Sequence, residues 1–134
     1  MTAARQQVTH DWWANRRLGF TLLISEFVVN EARLGNAEMA RKRLEVLSGI
    51  PEIELTEEAA AFAERLVKNG PLPSKAALDA LHIAVAVSDG VDYLLTWNFK
   101  HLANVVIRRK IEKACRSAGY EPCSICTPEE LLED

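Results

Sequence analysis

The sequence predicts an α/β protein in which helices pack against a mainly parallel sheet. Two observations lead to this prediction: short apolar runs of strand length recur along the chain, and segments with a helical pattern separate them. The chain has 134 residues, of which 49% are hydrophobic, and no linker, repeat or low-complexity segment divides it. We therefore expect a single domain over residues 1–134 with one core.

The first predicted elements are a helix, a strand and a second helix. The pattern over residues 4–18 puts Val8 and Trp12 on one side of a helix, and the apolar run FTLLIS that follows predicts a short strand. Ser25 is a plausible N-cap for the helix SEFVVNEARL, because its hydroxyl can accept a hydrogen bond from a backbone N–H of the first turn. Gly35 is expected to end that helix.

Two further helices flank the second predicted strand, EIEL. Asn36 can start an amphipathic helix that reaches Gly49. Thr56 is followed by two glutamates, which is typical of a helix N-terminus, and Asn69 with Gly70 is expected to end this helix.

The second half of the chain continues the alternation. Ser74 is expected to cap a helix that extends to about Ser88, and DYLLTW predicts the third strand. A helix over about 105–118 leads into YEPCSICT, the fourth strand. Thr127 and Pro128 open a short terminal helix, PEELL, since proline is favoured at the first helical position.

Composition and charge restrict the classes of partner. The formal charge is −3 and the pI about 5.7, so no overall positive field attracts nucleic acid or an anionic membrane, and any nucleic acid would need a local patch. No apolar stretch has the roughly 20 residues of a membrane helix. We expect a cytoplasmic protein with no membrane partner. Two basic clusters are interpreted as solvated helix faces, with contact to a phosphate backbone as the alternative: Arg41, Lys42 and Arg43, and Arg108, Arg109 and Lys110.

The three cysteines are interpreted as reduced, structural thiols. Cys123 and Cys126 form a CxxC, but no second Cys or His pair lies at zinc-site spacing. The local pattern predicts a strand, which would point these two thiols to opposite faces. A thiol redox function is an alternative with little support.

The helix from Ser74 poses the main question about function, because it is apolar nearly all round and yet carries Asp79 and His82 on one stripe. A carboxylate removed from water needs hydrogen bonds, a cation or a metal. Two interpretations stay open. In the first, Asp79 is a helix-start residue with His82 as its hydrogen-bonded neighbour; in the second, both belong to a functional site.

Other polar residues follow the predicted strands, where open α/β sheets form their sites. Glu26 and Glu31 follow the first strand, and Asn98 follows the third. A carboxylate from the second helix, Asp79 and a strand-end residue could converge on one hard cation through oxygen ligands, as Mg²⁺ or Mn²⁺ requires. Taken singly, Glu26 and Glu31 are also compatible with a solvated helix surface.

With these motifs the chain resembles a PIN domain, in particular the VapC-type ribonuclease toxins of bacterial toxin–antitoxin pairs. The resemblance covers almost all of residues 1–134 and rests on ISEFVVNEARLG, LPSKAALDALHIAVAVSDGVDYLLTWNFKHLAN and GYEPCSICTPEELL. It implies a three-layer α/β/α sandwich whose acidic residues hold Mg²⁺ or Mn²⁺ for hydrolysis of RNA phosphodiester bonds. It also implies an RNA substrate, a cognate antitoxin and a homodimer.

The resemblance assigns roles residue by residue. Glu31 matches the acidic position of the helix after the family's second strand, and Asp79 matches the acid at the start of the later helix. Asn98 stands where many members have another Asp. The resemblance thus implies a catalytic metal site of Glu31, Asp79 and Asn98. His82 and His101 belong to the signature without a ligand role.

One departure from the family concerns the beginning of the chain. PIN domains open with a central strand that ends in a metal-binding Asp, whereas this sequence begins with a helical pattern. We therefore expect an N-terminally truncated domain that lacks this strand, with two rows of unpaired backbone groups in its place. The sheet would then close up or borrow a strand. The alternative function is accordingly a non-catalytic PIN-like module that binds RNA or antitoxin without cleaving.

Overall fold

The computed structural model describes residues 3–68, 70–96 and 105–132. Helices and short strands alternate along these residues, with 3-10 turns at Arg17–Gly19, Ser74–Ala76 and Glu129–Leu131. The helices are α1 (Ala3–Asn15), α2 (Glu26–Ala32), α3 (Ala37–Leu47), α4 (Glu57–Val67), α5 (Ala77–Ser88) and α6 (Val105–Ser117). The strands are β1 (Ile24–Ser25), β2 (Glu52–Ile53), β3 (Tyr93–Leu95) and β4 (Ser124–Cys126).

The strands pair in parallel, as two separate pairs within the described residues. β1 pairs with β2, and β3 pairs with β4. The registers are Ile24 with Glu52 and Ser25 with Ile53 in the first pair, and Tyr93 with Ser124, Leu94 with Ile125 and Leu95 with Cys126 in the second. The predicted mixed α/β class with parallel strands is confirmed. The described strands do not form one continuous sheet.

The strands are shorter than the apolar runs that predicted them. The run FTLLIS yields a strand only at Ile24–Ser25, and EIEL only at Glu52–Ile53. Among the described residues, each of these two strands pairs with one strand, which is itself two residues long. Leu23, just before β1, is 39% exposed. Apolar composition marked the position of each strand, while pairing set its length.

The core lies between α4, α5 and α6. α4 and α5 pack against each other through small residues, including Ala59, Ala63 and Ala84, which allow the two backbones to approach closely. Ile83 of α5 is fully buried at the centre of this cluster. Six residues of α5 between Ala80 and Val87 are buried, so the helix that is apolar nearly all round lies mainly in the core.

Aromatic contacts connect the beginning of the chain to β3. Trp12 of α1 is buried and lies 5.7 Å from Phe20, centroid to centroid. The Phe20 ring in turn meets Tyr93 edge-on at 5.9 Å. These contacts hold the first helix against the second strand pair.

Side chains cap the helices at three of the predicted positions. The hydroxyls of Ser25 and Thr56 accept from the N–H of Val28 and Ala59, at 3.3 and 3.1 Å, and the Asn36 side chain caps α3. The prediction for Ser74 was wrong: this residue lies in a 3-10 turn, and α5 begins at Ala77 without a side-chain cap. The N–H of Ala76 instead bonds the Pro73 carbonyl at 2.9 Å, so the backbone itself tightens the turn.

Two glycines in the left-handed region end the helices that lead into β3 and β4. Gly90 has φ of 73°, and the Val91 N–H donates to the Ala86 carbonyl at 2.9 Å. Gly119 has φ of 88° and ends α6 in the same way. This Schellman arrangement turns the chain sharply from a helix into the following strand. No helix among the described residues is long and apolar enough to cross a membrane.

Candidate functional site

Glu31 lies in the last turn of α2, close behind β1. The Ser25 cap starts α2 directly at the end of the strand, so Glu31 stands about one and a half turns beyond the strand end. Its side chain is 53% exposed. The carboxylate is therefore accessible to solvent and is not a buried charge.

His82 of α5 connects α2 to α5. Its Nε2 lies 3.7 Å from Oε1 of Glu31, and the imidazole is 19% exposed. The ring also meets Phe27 edge-on, with centroids 5.9 Å apart. Since Phe27 and Glu31 are four residues apart on one face of α2, His82 contacts this face at two points. The imidazole thus packs between Phe27 and Glu31, and the end of α2 lies beside α5.

Asp79 lies in the first turn of α5 and is half-buried. It precedes His82 by one helical turn, so both side chains occupy the same face of α5. The sequence left open whether His82 is only the hydrogen-bonded neighbour of Asp79 or whether both residues belong to a functional site. In the structure His82 lies beside Glu31 of another helix, so the end of α2 approaches the helix face that carries Asp79.

The third predicted ligand, Asn98, lies outside the described residues, as does His101. Within the described residues, no three His, Cys, Asp or Glu side chains come together as a metal-binding group. Mg²⁺ is commonly held by one or two carboxylates with water completing its shell. The half-exposed Glu31 and half-buried Asp79 carboxylates fit that chemistry by donor type.

Arg43 has a role at this site that sequence reasoning missed. Its Nε donates to the Ala32 carbonyl at 3.2 Å, and its Nη2 donates to the Leu34 carbonyl. The guanidinium from α3 thereby closes the C-terminal end of α2, beside Glu31. The cluster around it was interpreted as a solvated face, and no local spacing signals a contact that reaches back across a turn to the preceding helix.

The three thiols are unsuited to redox or nucleophilic chemistry. All three cysteines are free and buried. Burial raises the pKa of Cys115 and Cys126 from 9.0 to about 11 and that of Cys123 to about 12. Because the thiolate is the reactive form, thiols with such pKa values stay protonated and inert near neutral pH. The interpretation of these cysteines as structural agrees with this environment.

Comparisons with protein-family models, with curated proteins and with solved structures found no match. The function of the chain is therefore inferred from its own residues. The candidate site is the place where α2 approaches the polar face of α5. It carries three ionisable side chains, those of Glu31, Asp79 and His82.

Proposed function

We propose that the chain is a metal-dependent endoribonuclease of the PIN type that hydrolyses RNA phosphodiester bonds as the toxin of a toxin–antitoxin pair. One observation carries the proposal: the 3.7 Å contact between Glu31 and His82 joins the acid-bearing end of α2 to the helix face that carries Asp79. Glu31 and Asp79 are the two acids that the resemblance to PIN domains selects. A cognate antitoxin and a homodimer are part of the proposal.

The proposal includes a three-layer α/β/α arrangement. It is supported by the parallel pairing of all the described strands and by the helices that alternate with them. Each described strand has one paired edge and one open edge. A further strand between β1 and β3 would join the two pairs into one sheet, and it would be paired on both sides.

In the proposed mechanism Glu31 and Asp79 would hold Mg²⁺ or Mn²⁺, and Asn98 would contribute its amide oxygen. When bound, the cation supplies charge stabilisation at the phosphate and lowers the pKa of a water for attack on phosphorus. His82 restrains the Glu31 carboxylate by its contact with Oε1, and Arg43 fixes the end of the helix that carries it.

The decisive test is the substitution Asp79→Asn, which removes one charge and keeps the shape of the side chain. RNA cleavage in Mg²⁺ or Mn²⁺ should fall about a hundredfold or more, the scale for loss of a main electrostatic group. Asp89→Asn is the matched control, since Asp89 is an exposed carboxylate at the other end of the same helix. Cleavage by the Asp79→Asn variant at the rate of the control would contradict the assignment.

Glu31 is tested in the same way. Glu31→Gln should also reduce metal-dependent cleavage, whereas Glu38→Gln, at an exposed position of the neighbouring α3, should leave it unchanged. Equal rates for these two variants would remove Glu31 from the site.

The alternative function is a PIN-like module that binds RNA or antitoxin without cleaving. Asn98 favours it, because this residue brings no charge where many PIN domains have Asp, and the three proposed ligands then carry only two charges. Calorimetric titration with Mn²⁺ separates the two functions. No heat of binding together with no cleavage by the unmodified chain would select the module.

A further inference from the structure

Helix α6 is the most basic element among the described residues. Its 13 residues, VVIRRKIEKACRS, include five cations and a single acid. The apolar side, with Ile111 and Cys115, is buried in the core. Four of the cations are exposed on the other side and are here named the basic face: Arg109, Lys110, Lys113 and Arg116.

Arg108 does not belong to the basic face, because it points into the protein. Its Nη1 donates to the Ile125 carbonyl of β4 at 3.3 Å, and its Nε is buried. This bond and the buried side of α6 fix the helix to the second strand pair. The basic face is therefore carried on a rigid element, which lowers the conformational entropy that binding would cost.

The cations of the basic face have no acidic partner among the described residues. The other basic cluster differs: Arg41 pairs with Glu45 at 2.8 Å, and Arg43 is occupied by the carbonyls at the end of α2. Four exposed cations without an ion pair among the described residues form a local positive patch in a chain with a net charge of −3.

We propose that the basic face of α6 binds the phosphate backbone of single-stranded RNA. The choice of RNA as the polyanion rests on the proposed function, while the face itself is read from the structure. The rise of roughly 1.5 Å per residue spreads the cations over about 10 Å from Arg109 to Arg116, enough for an extended strand to contact them in succession. Along the chain, α6 follows β3 after the segment that contains Asn98.

A membrane surface fits the basic face less well. A helix that lies on a membrane needs a large exposed apolar side beside its cations. In α6 that side is buried in the core, and the exposed apolar residues are two valines of the first turn, Val105 and Val106. Binding that relies on charge, without an apolar anchor, is typical of contact with nucleic-acid phosphates.

The test measures RNA binding without cleavage. The full chain in EDTA is titrated against a fluorescent 20-nucleotide single-stranded RNA at several salt concentrations. Binding should weaken with salt, and the double substitution Arg109→Gln with Lys113→Gln should reduce the slope of log K against log salt by about 1.4, or 0.7 for each lost phosphate contact.

The matched control is Arg41→Gln with Lys42→Gln, which removes two exposed cations from α3. The control should leave the slope within about 0.4 of the unmodified chain, less than one phosphate contact. An equal change in both variants would overturn the proposal, and so would RNA binding without salt dependence or no RNA binding at all. Thermal unfolding checks that both variants remain folded.

Two further outcomes keep this proposal separate from the nuclease proposal. Loss of phosphatidylserine-vesicle binding in the α6 variant, with RNA binding intact, would assign the basic face to a membrane and overturn the proposal. Failure to bind RNA in EDTA would contradict only the proposal that the basic face binds RNA. The nuclease proposal is tested separately, by cleavage with Asp79→Asn and Asp89→Asn in the presence of metal.

Discussion

Cys115, Cys123 and Cys126 show how burial sets the chemistry of single residues. Burial raises the pKa of each thiol above that of an ordinary cysteine, to about 11 for Cys115 and Cys126 and to about 12 for Cys123. A nearby cation partly opposes burial in two cases: Arg116 lowers the pKa of Cys115, and Arg108 that of Cys126. Burial dominates in all three, so the thiols are core residues.

These pKa values predict a loss of stability at alkaline pH. Above pH 9 the thiols of the unfolded chain release protons while those of the folded chain keep them until pH 11 to 12, so the unfolded state gains stability as pH rises through this range. The free energy of unfolding, measured in urea with a reductant, should therefore fall between pH 8.5 and 10.5.

Cys123→Ala isolates the contribution of one thiol. This variant should lose less free energy of unfolding over the same pH range than the unmodified chain, whatever its stability at pH 8. Identical pH dependence in the two proteins would mean that Cys123 has the same pKa in both states.

The candidate site was partly predictable at the residue scale. The sequence singled out Asp79 because a carboxylate in an apolar helix needs a partner, and it placed both Glu26 and Glu31 after a strand. The resemblance to PIN domains selected Glu31 from these two. The sequence did not reveal that His82 reaches Glu31, since α3 and α4 separate their helices in the chain. Contacts between such distant residues depend on packing and have no local signature.

At the scale of the elements, helix starts were predicted where a side chain makes the cap. Thr56 accepts from the Ala59 N–H at 3.1 Å, and Thr127 and Glu130 form a reciprocal capping box, with the Thr127 N–H donating to Glu130 at 3.0 Å. Ser74 also carries a hydroxyl, but it lies within a backbone-stabilised 3-10 turn, Ser74–Ala76. The local sequence of a cap did not distinguish these cases.

Substitution of the two hydroxyls separates them energetically. Thr56→Ala should lower the free energy of unfolding by about 1 kcal/mol through loss of the α4 cap. Ser74→Ala should change it by less than about 0.5 kcal/mol, because Ser74 is exposed and makes no capping bond. Chemical denaturation measures both. Equal destabilisation would mean that Ser74 caps α5 in solution.

At the scale of the whole molecule, stability comes from the α4–α5–α6 core rather than from the sheets. The two-residue and three-residue strand pairs contribute few hydrogen bonds, whereas the helices bury a continuous apolar cluster. Ile83 is fully buried at its centre, while Leu78 of the same helix is 44% exposed. An aliphatic side chain therefore contributes more to the free energy of unfolding on the buried side of α5 than on its exposed side.

Ile83→Ala should destabilise the protein by about 2–5 kcal/mol, since it removes buried methyl groups and leaves a cavity. Leu78→Ala removes a similar volume from an exposed position and should cost about 1 kcal/mol or less. Urea unfolding followed by circular dichroism compares the two variants. Similar midpoints would contradict the position of the core.

The sequence by itself determined the mixed α/β fold class, the order of the helices and strands, and most helix ends. Those features follow from periodicity, caps and glycines, which act within a few residues of one another. Only the tertiary structure decided that the described strands pair two by two and that His82 meets Glu31. It also decided that Arg108 lies on the side of α6 that faces β4, while Arg109 lies on the exposed side. These outcomes depend on how helices far apart in the chain pack, because burial and charge are properties of the assembled surface.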